Sequence, residues 1–183
     1  VIADDGARLA DRQQIHDLIV TYCRGIDRLQ LDLVRGVYHP GAVDHHTGFD
    51  GPVEEYLPWL RPMLEKYDGT MHVVANHFVE FAGPRAVSET YGFAVHWGSP
   101  PDDPRVNFTS GFRYVDLLDC RDGRWGIIER HAVREWTHSD VQLLMSPEDR
   151  GPRGARTPDD VVFKQLARIR SGSPESSSGT SAT

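Results

Sequence analysis

The sequence predicts an α+β fold in which N-terminal helices pack on one face of a strongly curved antiparallel sheet. Two observations carry this. Apolar side chains recur at helical spacing over residues 9–26, at Ile15, Leu18, Ile19, Tyr22 and Ile26. After Gly69 the period changes, and long runs rich in Val, Phe, Tyr, Thr and Trp follow one another through turns of Gly, Pro and Asp. Helices first and a meander of hairpins afterwards put the helices together on one sheet face. The cone enclosed between them is a natural ligand pocket.

The first helix covers 9–26, and Gly25 with Asp27 marks a frayed end. A short second helix covers about 31–38 and stops at His39-Pro40-Gly41. Residues 42–46 read as a short strand and 48–52 as a turn. Val53, Tyr56, Leu57, Leu60 and Leu64 give a third helix, in which Pro58 and Pro62 predict an irregularity or a break. Four long strands are expected over 70–81, 86–97, 105–120 and 125–136, the last two joined through Asp122-Gly123. Residues 1–140 thus form the cone domain. A C-terminal extension follows at 141–170, where Pro158-Asp159-Asp160 can start a short helix through Ile169. The run 171–183 is almost wholly Ser, Gly, Thr, Pro and Ala and reads as a disordered tail.

A length of 183 residues suits one domain plus such a tail. The formal net charge of −7 argues against nucleic acid and against anionic membrane surfaces. No apolar run approaches the roughly 18 residues that span a bilayer. Val1-Ile2-Ala3-Asp4-Asp5 lacks the basic start and apolar stretch of a signal peptide, so a cytoplasmic protein is expected. Cys23 and Cys120, without metal-ligand spacing, argue against a zinc site or a disulfide scaffold. His45 and His46 are adjacent and point to opposite sides of a strand, and no Gly-rich phosphate loop follows a strand. No metal or cofactor is assigned.

Three clusters could carry chemistry. Tyr22 and Asp27 close the first helix; an acid beside an apolar stripe is either a helix-end charge in solvent or a buried functional group. His72 lies in an otherwise apolar strand and is either a satisfied core side chain or a base. His72 and His77 differ in parity, so only one enters the cavity unless a bulge intervenes. In the last strand, period two puts Ile128, Arg130, Ala132, Arg134 and Trp136 on one face, and cross-strand ion pairing competes with any functional role for its charges.

Taken together, Asp11 to Leu18, Tyr22 through Asp27, Tyr38-His39-Pro40-Gly41-Ala42-Val43, Thr70-Met71-His72 with Asn76-His77, and Arg121 to Trp125 with Arg130 resemble the SnoaL-like family of the nuclear transport factor 2-like cone fold. The resemblance spans about 9–136 and implies an α+β barrel of that type. It also implies a catalytic set of Asp27 paired with His72, Tyr22 as a hydrogen-bond donor and Arg130 as an anion stabiliser, with Arg134 as the alternative arginine. An imidazole held by a carboxylate can take a proton from carbon, the first step of elimination, isomerisation or cyclisation. The expectation is a cofactor-free lyase of dehydratase type, acting on a hydrophobic polyketide- or steroid-like molecule and assembled as a homo-oligomer, dimer or trimer. An isomerase or cyclase in the same pocket is the alternative, as is a non-catalytic subunit like the β subunit of ring-hydroxylating dioxygenases. Trp59, Met71, Phe78, Phe93, Phe108 and Phe112 are expected to line the cavity.

Overall fold

The computed structural model describes residues 6–141, 156–159 and 163. The chain divides into two units, Val1–Leu144 and Met145–Thr183. The tail expected at 171–183, and the extension at 141–170 apart from residues 141, 156–159 and 163, lie outside the described residues. No helix among the described residues is long and apolar enough to cross a membrane.

Helix α1 (Leu9–Asp27) buries Ile15, Ile19, Tyr22, Cys23 and Ile26, the stripe read from the sequence with Cys23 added and Leu18 at its margin. Its end is closed rather than frayed. Leu29 takes a positive φ of 54°, Gln30 N donates to Gly25 O at 2.8 Å, and Leu29 N donates to Ile26 O at 3.2 Å. This double bond pattern caps the carbonyls of the last turn. It holds Asp27 in the last helical position. Helix α2 (Leu31–Gly36) packs close at the turn, where a Cβ on Gly25 would come within 2.7 Å of the Val34 side chain.

Strand β1 (Tyr38–His46) begins earlier than the sequence reading placed it, and Phe49–Pro52 forms strand β2 instead of a bare turn. Helix α3 (Val53–Leu64) runs unbroken through Pro58 and Pro62. Both prolines are exposed and four residues apart, so the lost amide donors fall on the solvent side, while Val53, Tyr56, Leu60 and Leu64 bury the opposite face. The four long strands are β3 (Gly69–Ala82), β4 (Arg85–Trp97), β5 (Phe108–Arg121) and β6 (Arg124–Ser139).

The sheet order is β2-β1-β6-β5-β4-β3. It differs from the expected all-antiparallel barrel in two ways. Strand β1 pairs in parallel with β6, because no hairpin joins the two and nothing forces them to run opposite ways. The sheet is therefore mixed. It also stays open, with β2 and β3 at its edges. Helix α1 is tied across it by Trp125 Nε1, which donates to Asp11 Oδ1 at 2.8 Å, and by Arg12, which donates to Val79 O at 2.9 Å.

Two register shifts decide which side chains face the helices. One of these falls between Val74 and His77 in β3; the other is in β6 where Leu118 pairs Ile127 but Leu117 pairs Glu129, and a third shift lies further along β6, where Gly111 pairs Trp136 but Phe112 pairs Arg134. Each inserts an extra residue and flips the alternation beyond it. Gly92 in β4 has a related role: an added Cβ would lie 2.6 Å from Val73 O and 2.8 Å from the Phe112 ring. Gly92→Ala should therefore push apart β3 and the Phe112 wall and lower stability by roughly 1–3 kcal/mol. Denaturant unfolding of the two proteins measures it, and an unchanged midpoint would refute the packing argument.

Candidate active site

A cavity of about 170 Å³ opens between α1, α3 and the concave sheet face. At one end stands His72. Its Nδ1 lies 2.7 Å from Asp27 Oδ1, and its backbone N–H donates to Asp27 Oδ2 at 2.9 Å. Thr70 Oγ1 donates to Asp27 Oδ1 at 2.9 Å. A carboxylate only accepts, so Nδ1 carries a proton, and it is Nε2 that bears the lone pair in the neutral ring. His72 lines the cavity; Asp27 stands behind it rather than on the wall.

The other end is built from phenols and a second histidine. Tyr22 Oη is 2.7 Å from Tyr56 Oη, and each is 3.4 Å from Nε2 of His46. The His46 Nδ1 is hydrogen-bonded to Asp44 Oδ1, and Tyr38 Oη donates to Asp44 Oδ2 at 2.6 Å. Burial raises the pKa of Tyr22, with the Asp44 charge adding to it, and burial does the same for Tyr56. Both stay protonated and able to donate.

Arg130 does not reach the cavity wall. It is fully buried behind Tyr22, with Nε and Nη2 bonded to Asp116 at 2.7 and 2.8 Å. Its guanidinium lies over the Tyr22 and Tyr114 rings, 4.2 Å from each centroid. Burial works against its charge, but Asp116 together with the Tyr38 and Tyr22 phenols outweighs that, and Arg130 remains a cation. The expected anion stabiliser is thus a support for Tyr22. The arginine on the wall is Arg134, four residues further along β6.

The apolar lining divides in the same way. Trp59, Phe108 and Phe112 line the cavity, whereas Met71, Phe78 and Phe93 are exposed on the outer sheet face. The bulge in β3 does bring His77 to the helix side, where its ring meets His16 edge-on at 5.5 Å, but away from the cavity. His45 and His131 stack on the outer face with Glu129 beside them, three donor atoms within 4.8 Å. His45 Nδ1 donates to Asp50 Oδ1 and His131 Nε2 to Glu129 Oε1, each at 2.8 Å, so hydrogen bonds alone account for the group.

Two further histidines line the cavity: His46, which the sequence offered only alongside His45 and His131 as a second acid or base, and His96, to which it gave no role. His96 stacks on Phe108 with centroids 4.2 Å apart and meets His72 edge-on at 6.2 Å. Burial, then the nearby His72, pushes its pKa down to about 4. It is a neutral ring at neutral pH. The signal in the sequence was its place one residue before Trp97, on the face that pairs Thr70 and hence shares the parity of His72.

Against known proteins, the model of the SnoaL-like domain matches residues 7–131. An uncharacterised protein of Mycobacterium tuberculosis is 30% identical over 129 residues, covering 68% of this chain and 85% of that protein. Among solved structures, a hexachlorocyclohexane dehydrochlorinase of Novosphingobium barchaimii superposes with a TM-score of 0.65 at 18% identity, covering 79% of this chain and 99% of the other. A candidate scytalone dehydratase of Novosphingobium aromaticivorans superposes with a TM-score of 0.64 at 17% identity, covering 79% and 97%. At such identities the structures establish a shared nuclear transport factor 2-like fold.

His96 makes a prediction about pH. An unfolded imidazole protonates near pH 6.5, whereas folded His96 resists until about pH 4. Between those values the unfolded state binds the extra proton, so stability present above pH 6.5 is lost as the pH falls to about 4. The loss from this group is roughly 3 kcal/mol. Desolvation lowers the pKa of His77 and acts in the same direction. His96→Phe, which keeps the stack on Phe108, should flatten the slope of unfolding free energy against pH in that window by about one proton. Equal slopes in the two proteins would contradict the assignment.

Proposed function

This chain belongs to the SnoaL-like family, and on that premise we propose that its cavity catalyses a proton-abstracting elimination in which His72 is the base. The observation that carries the reading is the Nδ1 contact of 2.7 Å between His72 and Asp27. With Nδ1–H held by a carboxylate, Nε2 can accept a proton from carbon, and Asp27 stabilises the imidazolium that forms. Thr70 and the His72 amide fix the carboxylate so that little rearrangement accompanies the transfer. Tyr22 offers a neutral phenol to an oxygen of the substrate. Arg130 holds that phenol in place from behind.

The substrate is a largely apolar small molecule with a few polar groups, since Trp59, Leu60, Phe108 and Phe112 face it together with Ser110, Arg134 and the histidines. The acid–base chemistry of these side chains is sufficient for the reaction without a cofactor. The names of the structural neighbours, a dehydrochlorinase and a candidate dehydratase, are in keeping with an elimination.

A generic probe tests this without the native substrate. 5-Nitrobenzisoxazole opens when a base takes its C3 proton, and the released nitrophenolate is coloured. The wild-type protein should accelerate the opening, and His72→Ala should lower that rate by on the order of 10²–10⁴. Asp27→Asn should be comparably severe, and the two changes together should cost little more than one, since the pair acts as a unit. Tyr22→Phe should cost less. Thermal melts accompany each assay, because breaking a partly buried pair also destabilises the fold. A folded His72→Ala variant as fast as wild type would rule out His72 as the base.

A further inference from the structure

The cavity contains a second carboxylate-backed imidazole, the pair Asp44–His46, at the end opposite His72. Asp44, Arg130 and Asp116 stand side by side as register partners on β1, β6 and β5, and all three are closed off from solvent. Arg130 forks onto Asp116. Two carboxylates against one guanidinium leave this row one positive charge short, and unpaired buried charge is costly. His46, hydrogen-bonded to Asp44, is the neighbour that can supply the charge by carrying a proton on both nitrogens. Its Nε2–H then points at the Tyr22 and Tyr56 hydroxyls, 3.4 Å away.

The spacing of the two stations is set by β5. Phe112 and Tyr114 are two residues apart on one face, with ring centroids 4.4 Å apart. His72 lies 6.0 Å from the first ring and His46 lies 6.3 Å from the second. A substrate lying along these two rings meets a base at one end and a charged acid behind two phenols at the other.

We propose that Asp44–His46, acting through Tyr22 and Tyr56, protonates the leaving group, so that the substrates of this cavity lose a hydroxyl rather than a halide. A halide departs as an anion without a proton; a hydroxyl leaves readily only as water. The inference rests on the reading of His72 as the base. In the step, His72 Nε2 takes the proton from carbon, and the C–H electron pair becomes the new C=C bond. The adjacent C–O bond breaks with its pair on oxygen. A phenol proton passes to that oxygen to make water, and His46 Nε2–H restores the phenol. His72 then gives its proton to solvent and His46 regains one, which closes the cycle. His46 is thus a catalytic acid, and Asp44 a positioning residue that keeps the ring oriented and charged.

Benzisoxazoles of graded leaving-group acidity test it, since their opening breaks an N–O bond and leaves a phenolate oxygen that a donor can protonate. His46→Gln should lose a few-fold on 5-nitrobenzisoxazole, and on the order of 10² on the unsubstituted compound, whose oxygen needs the proton most. Tyr56→Phe should steepen the same dependence to a smaller degree, and it keeps the ring packing should His46→Gln fail to fold. His72→Ala should lose equally across the series. A uniform loss across the series in folded His46→Gln, or in Tyr56→Phe, would overturn the acid while leaving His72 as base. Wild type no faster than His72→Ala on any member would overturn the base, and the acid with it.

Discussion

The Asp27 carboxylate joins the end of α1 to the exposed edge of the sheet, and the geometry of the cavity follows from that junction. Strand β3 is an edge strand, so alternate backbone N–H groups along it have no partner strand on the outer side. The N–H of His72 is one of them, and Asp27 accepts it along with the ring N–H and the Thr70 hydroxyl. One side chain therefore covers an open edge, fixes the angle between helix and sheet, and selects an imidazole tautomer. The Leu29 and Gln30 cap places the carboxylate, and the close approach of α2 at Gly25 holds the cap.

The opposite end depends on a different constraint, the burial of charge. Asp44, Asp116 and Arg130 would each be strongly unfavourable alone in a region closed to water. They are tolerated because strand register lines them up and because phenol rings cover the guanidinium. Buried ion pairs add little net stability, but they fix positions. Here they fix Tyr22, and through Asp44 they fix His46. The parallel pairing of β1 with β6 matters for this reason: it places Asp44 opposite Arg130 and turns His46, two residues on, to the same face.

Much of this was legible in the sequence. The apolar stripe of α1 and the change to period two after Gly69 correspond to real elements, whereas the breaker at His39-Pro40-Gly41 lies inside β1; Tyr22 and His72 line one cavity, with Asp27 behind His72. Alternation also contained an unused consequence: if His72 faces inward, its neighbour Met71 must face outward, and Phe93 likewise beside Ala94. What periodicity cannot show is register across strands. The resemblance put Arg130 in the cavity, and nothing nearby in sequence revealed that Asp116 on β5 would hold it, or that Asp44 on β1 would lie beside it. The bulge that flips β6 leaves no clear mark either. His46 was obscure because it ends a short strand beside His45, and only the direction of β1 tells which of the two turns inward. The unbroken α3 has a similar cause, since the cost of a helical proline depends on whether the lost donor faces solvent.

The carboxylates behind the two histidines differ in their access to water, and that difference suits the opposite proton duties proposed for the two ends. The His72 and Asp27 side chains are 9% and 16% exposed, so in the proposed elimination the proton taken up by His72 has a route to solvent. Asp44 is fully enclosed, and Tyr22 and Tyr56 are all but enclosed. A proton held there is kept until a basic oxygen arrives, which is what an acid waiting on a leaving group requires. His46, at 20% side-chain exposure, is the member of that group placed to be recharged. Between them Phe112 and Tyr114 offer no group to titrate within the working range, since burial holds the Tyr114 phenol protonated. Phe112 and Tyr114 thus put no charge between the two histidines, and in the proposed step each proton moves at its own end of the substrate.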